Sequence, residues 1–123
     1  MDLPDLIDYC LQLPHCEEST PFGPDTLVYK VGGKVFAITG VDAFPAFANL
    51  KCDPERSLVL REQYDGITPG YHMNKKHWNS VVLDGRVPAA LIRELVDHSY
   101  ELVKKSLSKT QRETLRSSRL DLL

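Results

Sequence analysis

The sequence lacks the features that mark several large classes of protein. No run of apolar residues approaches the ~20 that a membrane-spanning helix needs. The cysteines are three in number and irregularly spaced (Cys10, Cys16 and Cys52), which fits a reduced, cytoplasmic setting better than a disulfide framework. Met1 is followed by acidic residues with no basic segment, so we expect no signal peptide. We therefore expect a cytoplasmic protein outside the membrane.

An excess of positive charge is also lacking. The chain has 15 Lys and Arg residues against 17 Asp and Glu, a net charge of −2, so no overall polycation attracts nucleic acid. The charge is uneven: residues 1–29 carry six acids and no Lys or Arg, whereas residues 104–123 carry six bases and two acids. With 42% hydrophobic residues in 123, we expect one folded domain with an ordinary core.

Three helices are predicted from apolar spacing and from capping residues. Leu3–Leu13 has amphipathic spacing, and Asp2 is placed to cap it. A second helix starts at Asp53-Pro54-Glu55 and ends before Asp65-Gly66. Pro88 opens the third and longest helix, which carries two apolar stripes as far as Leu107.

The clearest strand signal is a hairpin. Thr26–Val31 and Lys34–Thr39 are rich in β-forming residues and flank Gly32-Gly33, where glycine supplies the positive φ that a tight hairpin turn needs. Further strands are predicted at Phe47–Cys52, at Ile67–Met73 as an edge strand interrupted by Pro69-Gly70, and at Trp78–Leu83. His15–Pro24 is typical of a loop.

These elements predict an α+β fold. We expect an antiparallel sheet of about five strands with the N- and C-terminal helices packed on one face, and a partly solvent-exposed second face where function would lie. The domain spans residues 1–107. Residues 108–123 form a basic C-terminal extension, for which a short helix and a disordered tail both remain open.

Several segments together resemble the MmcQ/YjbR family, in this order: Leu11-Gln-Leu-Pro14, Pro21-Phe-Gly23, Val28-Tyr-Lys-Val-Gly-Gly-Lys34, Leu50-Lys-Cys-Asp-Pro54, Pro69-Gly-Tyr-His72 and Lys76-His-Trp78. The resemblance implies a CyaY-like fold and DNA binding through a "double wing" arrangement of the sheet. It implies no enzymatic activity and no cofactor. Nothing transfers to residues 108–123.

DNA binding requires cations that neutralise phosphates. The candidate DNA-binding residues are Lys30, Lys34, Lys51, Lys75, Lys76, His77 and Trp78, with Arg61, Arg86 and Tyr71 as further candidates. The turn at Gly32-Gly33 and the Lys75-Lys76 loop would straddle a duplex as wings if they lie on one side of the molecule. Two alternatives remain open: the lysines could serve to keep sheet edges soluble, and Trp78 could pack within the sheet.

Other chemistries have weaker support. His72 and His77 lack a second ligand pair for zinc, and Cys10 and Cys52 are typical of core positions, so we expect no metal site and no catalytic residue. The main rival is a protein- or peptide-interaction module that uses the exposed sheet face and the C-terminal tail. A small-molecule sensor would need a concave apolar pocket. We expect a monomer.

Overall fold

Helices and strands alternate along the chain in the computed structural model, which describes residues 1–70 and 73–121, with side chains as far as Arg116. The helices are α1 (Leu3–Gln12), α2 (Pro54–Gln63), α3 (Ala89–Lys105) and α4 (Lys109–Asp121). The strands are β1 (Glu17–Ser19), β2 (Thr26–Val31), β3 (Lys34–Gly40), β4 (Phe47–Lys51), β5 (Ile67–Pro69) and β6 (Trp78–Val82).

The predicted helix starts are confirmed. The Asp2 carboxylate accepts the backbone N–H of Asp5 at 2.9 Å, and the Asp5 carboxylate accepts that of Asp2, which forms a reciprocal capping box. The Asp53 carboxylate accepts the backbone N–H groups of Glu55 and Arg56 at the start of α2. Local sequence therefore determines where these two helices begin.

The strands form one antiparallel sheet in the order β1-β2-β3-β4-β6-β5. The predicted hairpin is confirmed, with Gly32 and Gly33 at φ values of 59° and 81°. The sheet has six strands rather than about five, because Glu17–Ser19 pairs with β2 inside the segment expected to be a loop. β5 lies at the opposite edge, as its proline and glycine predict.

A β-bulge determines which side chains of β3 face the helices. Tyr29 lies opposite Ala37 while Lys30 lies opposite Val35, so Phe36 is an extra residue on its strand. Phe36 packs edge-on against Tyr100 of α3, with ring centroids 5.4 Å apart. Phe36 and Ala37 consequently both face the helices, and the alternation of side chains is reset between them.

The core lies between the helices and one face of the sheet, as predicted. The main buried cluster joins side chains of α1, α2 and α3 to one set of strand residues, which includes Tyr29, Phe36, Ala37, Ala48, Leu50, Ile67 and Val81. The hydroxyl of Ser99 ties α3 to two strands, since it donates to the Phe36 carbonyl at 2.6 Å and accepts the Lys51 N–H at 2.9 Å. α2 packs beside β5 and extends this layer toward the sheet edge.

The sheet face turned away from these helices is called the open face below. Cross-strand register assigns to it Glu17, Ser19, Thr26, Val28, Lys30, Val35, Ile38, Gly40, Phe47, Asn49, Lys51, Thr68, Trp78, Ser80 and Val82. None of these residues belongs to the main buried cluster.

The C-terminal segment is helical and docks on the hairpin. Ser108 and Gln111 form a reciprocal cap at the start of α4. The Gln111 side chain donates to the carbonyl of Gly32 at 3.3 Å, and Leu107 lies against the same glycine. Among the described residues, no helix is both long and apolar enough to cross a membrane.

Candidate nucleic-acid interface

The two turns proposed as wings lie at the same end of the sheet. Ile38 pairs with Asn49 and Lys51 pairs with Trp78, so the end of β4 lies beside the starts of both β3 and β6. The Cys52 N–H donates to the His77 carbonyl at 2.8 Å and joins β4 to the loop before β6. The hairpin turn and that loop are separated by about two and a half strand spacings, or ~12 Å.

We call this the lysine end, defined by Lys34, Lys51, Lys75 and Lys76. Lys75 and Lys76 are exposed on the loop before β6. Lys51 is half-buried on the open face, whereas Lys34 points to the helix side, where its ammonium donates to the Ser106 carbonyl at 3.0 Å. These four predicted lysines, together with Lys30, lie at one end of the sheet, but Lys30 and Lys51 are on the open face while Lys34 is on the helix side.

Lys30 lies on the open face near the hairpin turn. Its cross-strand neighbour on β1 is Glu17, which places an opposite charge beside it. Lys30 is half-buried, so it is a weaker candidate for phosphate contact than the exposed Lys75 and Lys76.

Trp78 and His77 follow the lysine loop. Trp78 is half-buried on the open face and lies directly opposite Lys51, outside the main buried cluster. It therefore packs within the sheet and also contributes to the surface beside a lysine. Tyr71 and His72, the remaining predicted aromatic and metal-ligand candidates, lie outside the described residues.

Arg61 of α2 fixes the lysine loop in place. Its Nε donates to the side-chain oxygen of Asn79 at 2.8 Å, and one Nη donates to the carbonyls of Lys75 at 2.5 Å and Trp78 at 3.3 Å. The guanidinium is engaged by these acceptors and contacts the loop from the α2 side. Arg61 therefore positions the loop, and it is a weaker candidate for direct contact with DNA.

The opposite end of the sheet carries negative charge. Four loops there contribute one aspartate each: Asp25, Asp42, Asp65 and Asp84. Arg86 lies at this end as well, and its Nε donates to both oxygens of Asp84 at 3.1 and 2.9 Å. The backbone N–H and guanidinium of Arg86 lower the pKa of Asp84. Arg86 is thus separated from the predicted lysines by the length of the strands.

A cleft opens on the open face toward the aspartate loops. Its volume is about 390 Å³, and its lining includes Phe47, Thr68, Ser80, Val82 and Asp65. Asn49 lies next to it, between Phe47 and Lys51 on β4 and opposite Ser80 on β6. Asn49 is not among the residues predicted from the sequence, although an asparagine within the strand segment Phe47–Cys52 is an unusual strand residue.

The cysteines are poorly suited to nucleophilic chemistry. Burial raises the pKa of the Cys10 thiol to about 12 and that of Cys16 to about 11, so both stay protonated near neutrality. Burial also raises the pKa of Cys52. Among the described residues, no three His, Cys, Asp or Glu side chains gather into a group that could hold a metal ion.

Proteins of similar sequence place this chain in a family. The YjbR family model matches residues 11–102. The chain belongs to the YjbR family. It is 43% identical over 106 residues to the uncharacterized protein YbdF of Escherichia coli O157:H7, with 86% of this chain and 87% of that protein covered. The uncharacterized protein YjbR of Escherichia coli K12 is 35% identical over 116 residues, covering 94% and 98% respectively.

A solved structure of similar sequence supports the YjbR-family fold. The crystal structure of Deinococcus radiodurans protein DR2400 superposes with a TM-score of 0.86 at 45% identity, covering 93% of this chain and 87% of that one. The α+β sheet with helices on one face is therefore shared with that structure.

Proposed function

We propose that this YjbR-family domain is a non-enzymatic DNA-binding protein whose lysine end contacts the phosphate backbone. The observation that carries the proposal is the gathering of lysine-bearing turns at one end of the sheet, where Glu17 and Asp53 also lie, while four loops at the other end carry one aspartate each. The net charge of −2 does not reveal this uneven distribution of charge. A local basic surface supplies the attraction that binding to phosphates requires.

The spacing of the two turns supports a groove-spanning contact. Their separation of about 12 Å, estimated from strand spacing, is close to the ~12 Å width of the major groove of B-DNA. Lys34 on one turn and Lys75 and Lys76 on the other would each approach the phosphates of one groove edge. This is the geometry that a double-wing arrangement needs.

The loop that carries Lys75 and Lys76 is pre-organised. Arg61 holds its backbone at two carbonyls, and the Asn74 side chain accepts the Lys76 N–H at 3.0 Å. Ordering a loop before contact reduces the entropy lost on binding.

The neighbouring helix ends extend the basic surface. α3 terminates at the hairpin turn, where the Ser106 carbonyl accepts from Lys34, and it carries exposed Lys104 and Lys105 in its last turn. Arg112 of α4 donates to the Lys105 carbonyl at 2.6 Å. These cations also stabilise the negative end of the α3 dipole.

Fluorescence polarisation with a labelled duplex, measured across a series of salt concentrations, tests the proposal. The double variant Lys75→Glu, Lys76→Glu is expected to weaken binding and to reduce the slope of log K against log salt by about 2, one unit per lost phosphate contact. Lys34→Gln is expected to reduce the slope less, because its ammonium is already engaged by Ser106.

Arg93→Glu is the matched control, since Arg93 is exposed on the first half of α3, near the aspartate end. It changes the net charge by the same amount as each of the two Lys→Glu substitutions. The proposal fails if the wild-type domain does not bind at physiological salt, or if Arg93→Glu weakens binding as much per charge as the lysine substitutions.

A second candidate function, binding of a protein partner, is favoured by the exposed apolar side chains near the aspartate end. Phe44 is 100% exposed and Phe22 is 71% exposed, and the Val41 N–H donates to the Asp25 carbonyl, which joins their two loops. The docked α4 helix argues against a free C-terminal arm. Capture of a partner that survives nuclease treatment and is lost in Phe44→Ser would support this function over DNA binding.

A further inference from the structure

We propose that helix α4 is a third phosphate-contacting element of this domain, in which Lys109, Arg112 and Arg116 bind the DNA backbone beside the hairpin turn. The inference rests on the proposed DNA-binding function and adds a helical contact to those of the two turns. α4 begins after the last residue matched by the YjbR family model, which spans residues 11–102.

The three cations share one face of α4 and are called the basic stripe below. Their positions are separated by three and four residues, so the side chains follow one another along the helix. All three residues are exposed. A different side of the helix is docked, since Leu115 is partly buried against the core and Gln111 contacts the hairpin turn. The docked side thus leaves the basic stripe facing solvent.

The start of α4 is held at the hairpin turn, one of the two turns proposed to contact DNA. Gln111 donates to the Gly32 carbonyl at 3.3 Å, and Leu107 lies against the same glycine. Arg112 donates to the Lys105 carbonyl at 2.6 Å, which brings a cation of α4 to the end of α3. The basic stripe therefore borders the lysine end of the sheet.

Helix stability does not account for the basic stripe. The helix dipole favours acidic side chains in the first turn and disfavours basic ones, yet the first turn of α4 has no acid and begins with Lys109. Residues 104–116 carry five Lys or Arg and one Glu, a local charge of +4 that repels itself. Both ion pairs formed by the described side chains lie outside this stretch. A polyanion beside α4 would offset the repulsion, and cations clustered along a helix are typical of nucleic-acid contacts.

The length of the basic stripe fits a regularly charged strand. Lys109 and Arg116 are seven residues apart, which is ~10 Å along the helix axis. One strand of DNA carries a phosphate every ~3.4 Å of the duplex axis, so the stripe spans about three nucleotides. An isolated phosphate group would contact only part of it. Contacts of this kind fix the position of the protein on DNA without reading its sequence.

Fluorescence polarisation of the full chain with a labelled duplex, across a series of salt concentrations, tests the role of α4. The double-glutamine variant, Lys109→Gln with Arg116→Gln, is expected to weaken binding and to reduce the slope of log K against log salt by about 2. Arg112 is left unchanged in this variant because its guanidinium also contacts the end of α3.

The double-glutamate variant, Thr110→Glu with Thr114→Glu, is the matched control. It changes the net charge by the same amount as the double-glutamine variant, at two exposed positions on another face of the same helix. It removes no phosphate contact, so its salt slope should equal that of the wild type.

The outcomes separate this inference from the proposed function. An unchanged slope in the double-glutamine variant, with binding still weakened by the substitutions at Lys75 and Lys76, overturns the role of α4 alone. An equal loss of slope in the double-glutamate control also overturns it, because the effect would then follow net charge and not the stripe. Absence of wild-type binding to the duplex overturns the proposed function and this inference with it.

Discussion

Replacing Arg61 with methionine provides the sharpest test of how the lysine loop is held. Methionine keeps the apolar stem of the arginine and removes its hydrogen-bond donors. The contact at stake is between Arg61 Nε and the side-chain oxygen of Asn79, a residue only 2% exposed. After the substitution that oxygen loses its Arg61 donor and stays out of reach of water, while the Asn79 amide still donates to Ser57.

The expected loss of unfolding free energy depends on which of the three acceptors still have a hydrogen-bond partner after the substitution. The Trp78 carbonyl keeps the N–H of Gly70 at 2.8 Å, and Lys75 is exposed, so both of these acceptors remain satisfied. The Asn79 contact, a buried hydrogen bond to a charged group, accounts for most of the effect, about 2 kcal/mol. With the urea dependence usual for domains of this size, the midpoint of unfolding should fall by about 1 M.

Urea denaturation followed by circular dichroism measures this change. Arg56→Met is the matched control, because Arg56 lies on the same helix and its ion pair with Glu94 involves side chains that are 33% and 58% exposed. An exposed pair of this kind contributes at most about 1 kcal/mol. Equal losses for Arg61→Met and Arg56→Met would refute the reasoning.

Three further predictions concern stability and thiol chemistry. Gly32→Ala should destabilise the fold by at least about 1–2 kcal/mol in thermal unfolding, since Gly32 has a φ of 59° and a new Cβ would lie 2.7 Å from a methyl carbon of Leu107. His98 accepts the Asp53 N–H at 3.2 Å, and burial lowers its pKa below the ordinary 6.5. The folded state therefore binds fewer protons, so stability should be full above pH 6.5 and decrease as the pH falls through the pKa of the folded state. Cys10, with a pKa of about 12, should resist a thiol reagent until urea unfolds the chain.

Each of these has a matched control. Gly33→Ala has a similar φ of 81° but no neighbouring atom within 4 Å, so a loss equal to that of Gly32→Ala would contradict the role of Leu107. His98→Gln should reduce the loss of stability at acidic pH. An unchanged loss would assign the pH dependence to other groups. Rapid labelling of Cys10 in the native state, at a rate like that of the half-buried Cys16, would contradict its burial.

Elements coded by local chemistry were predictable from the sequence. Asp2 and Asp53 cap helices through hydrogen bonds two or three residues away, and Gly32-Gly33 supplies the turn geometry by itself. β1 was not predictable because Glu17–Ser19 has no apolar alternation. Its extended form depends on pairing with β2, a neighbour 11 residues distant.

The candidate site was predictable in outline. The lysine-bearing turns are visible in the sequence, but their placement at one end of the sheet depends on how the α2 connection returns the chain to β5 and β6. The facing of Ala37 and Ile38 was hidden, because the bulge at Phe36 shifts the register of β3 relative to β2. The unpaired oxygen of Asn49 was hidden as well, since whether a polar atom finds a partner depends on every neighbouring strand.

The placement of four aspartate-bearing loops and of the lysine-bearing turns at opposite ends makes the charge uneven along the strands and gives the molecule an electric dipole in that direction. In the field of a polyanion such a dipole experiences a torque, which turns the lysine turns forward before any contact forms. Productive collisions would thus be enriched over random ones. This pre-orientation acts only over about 8 Å at physiological ionic strength and fades as salt is added.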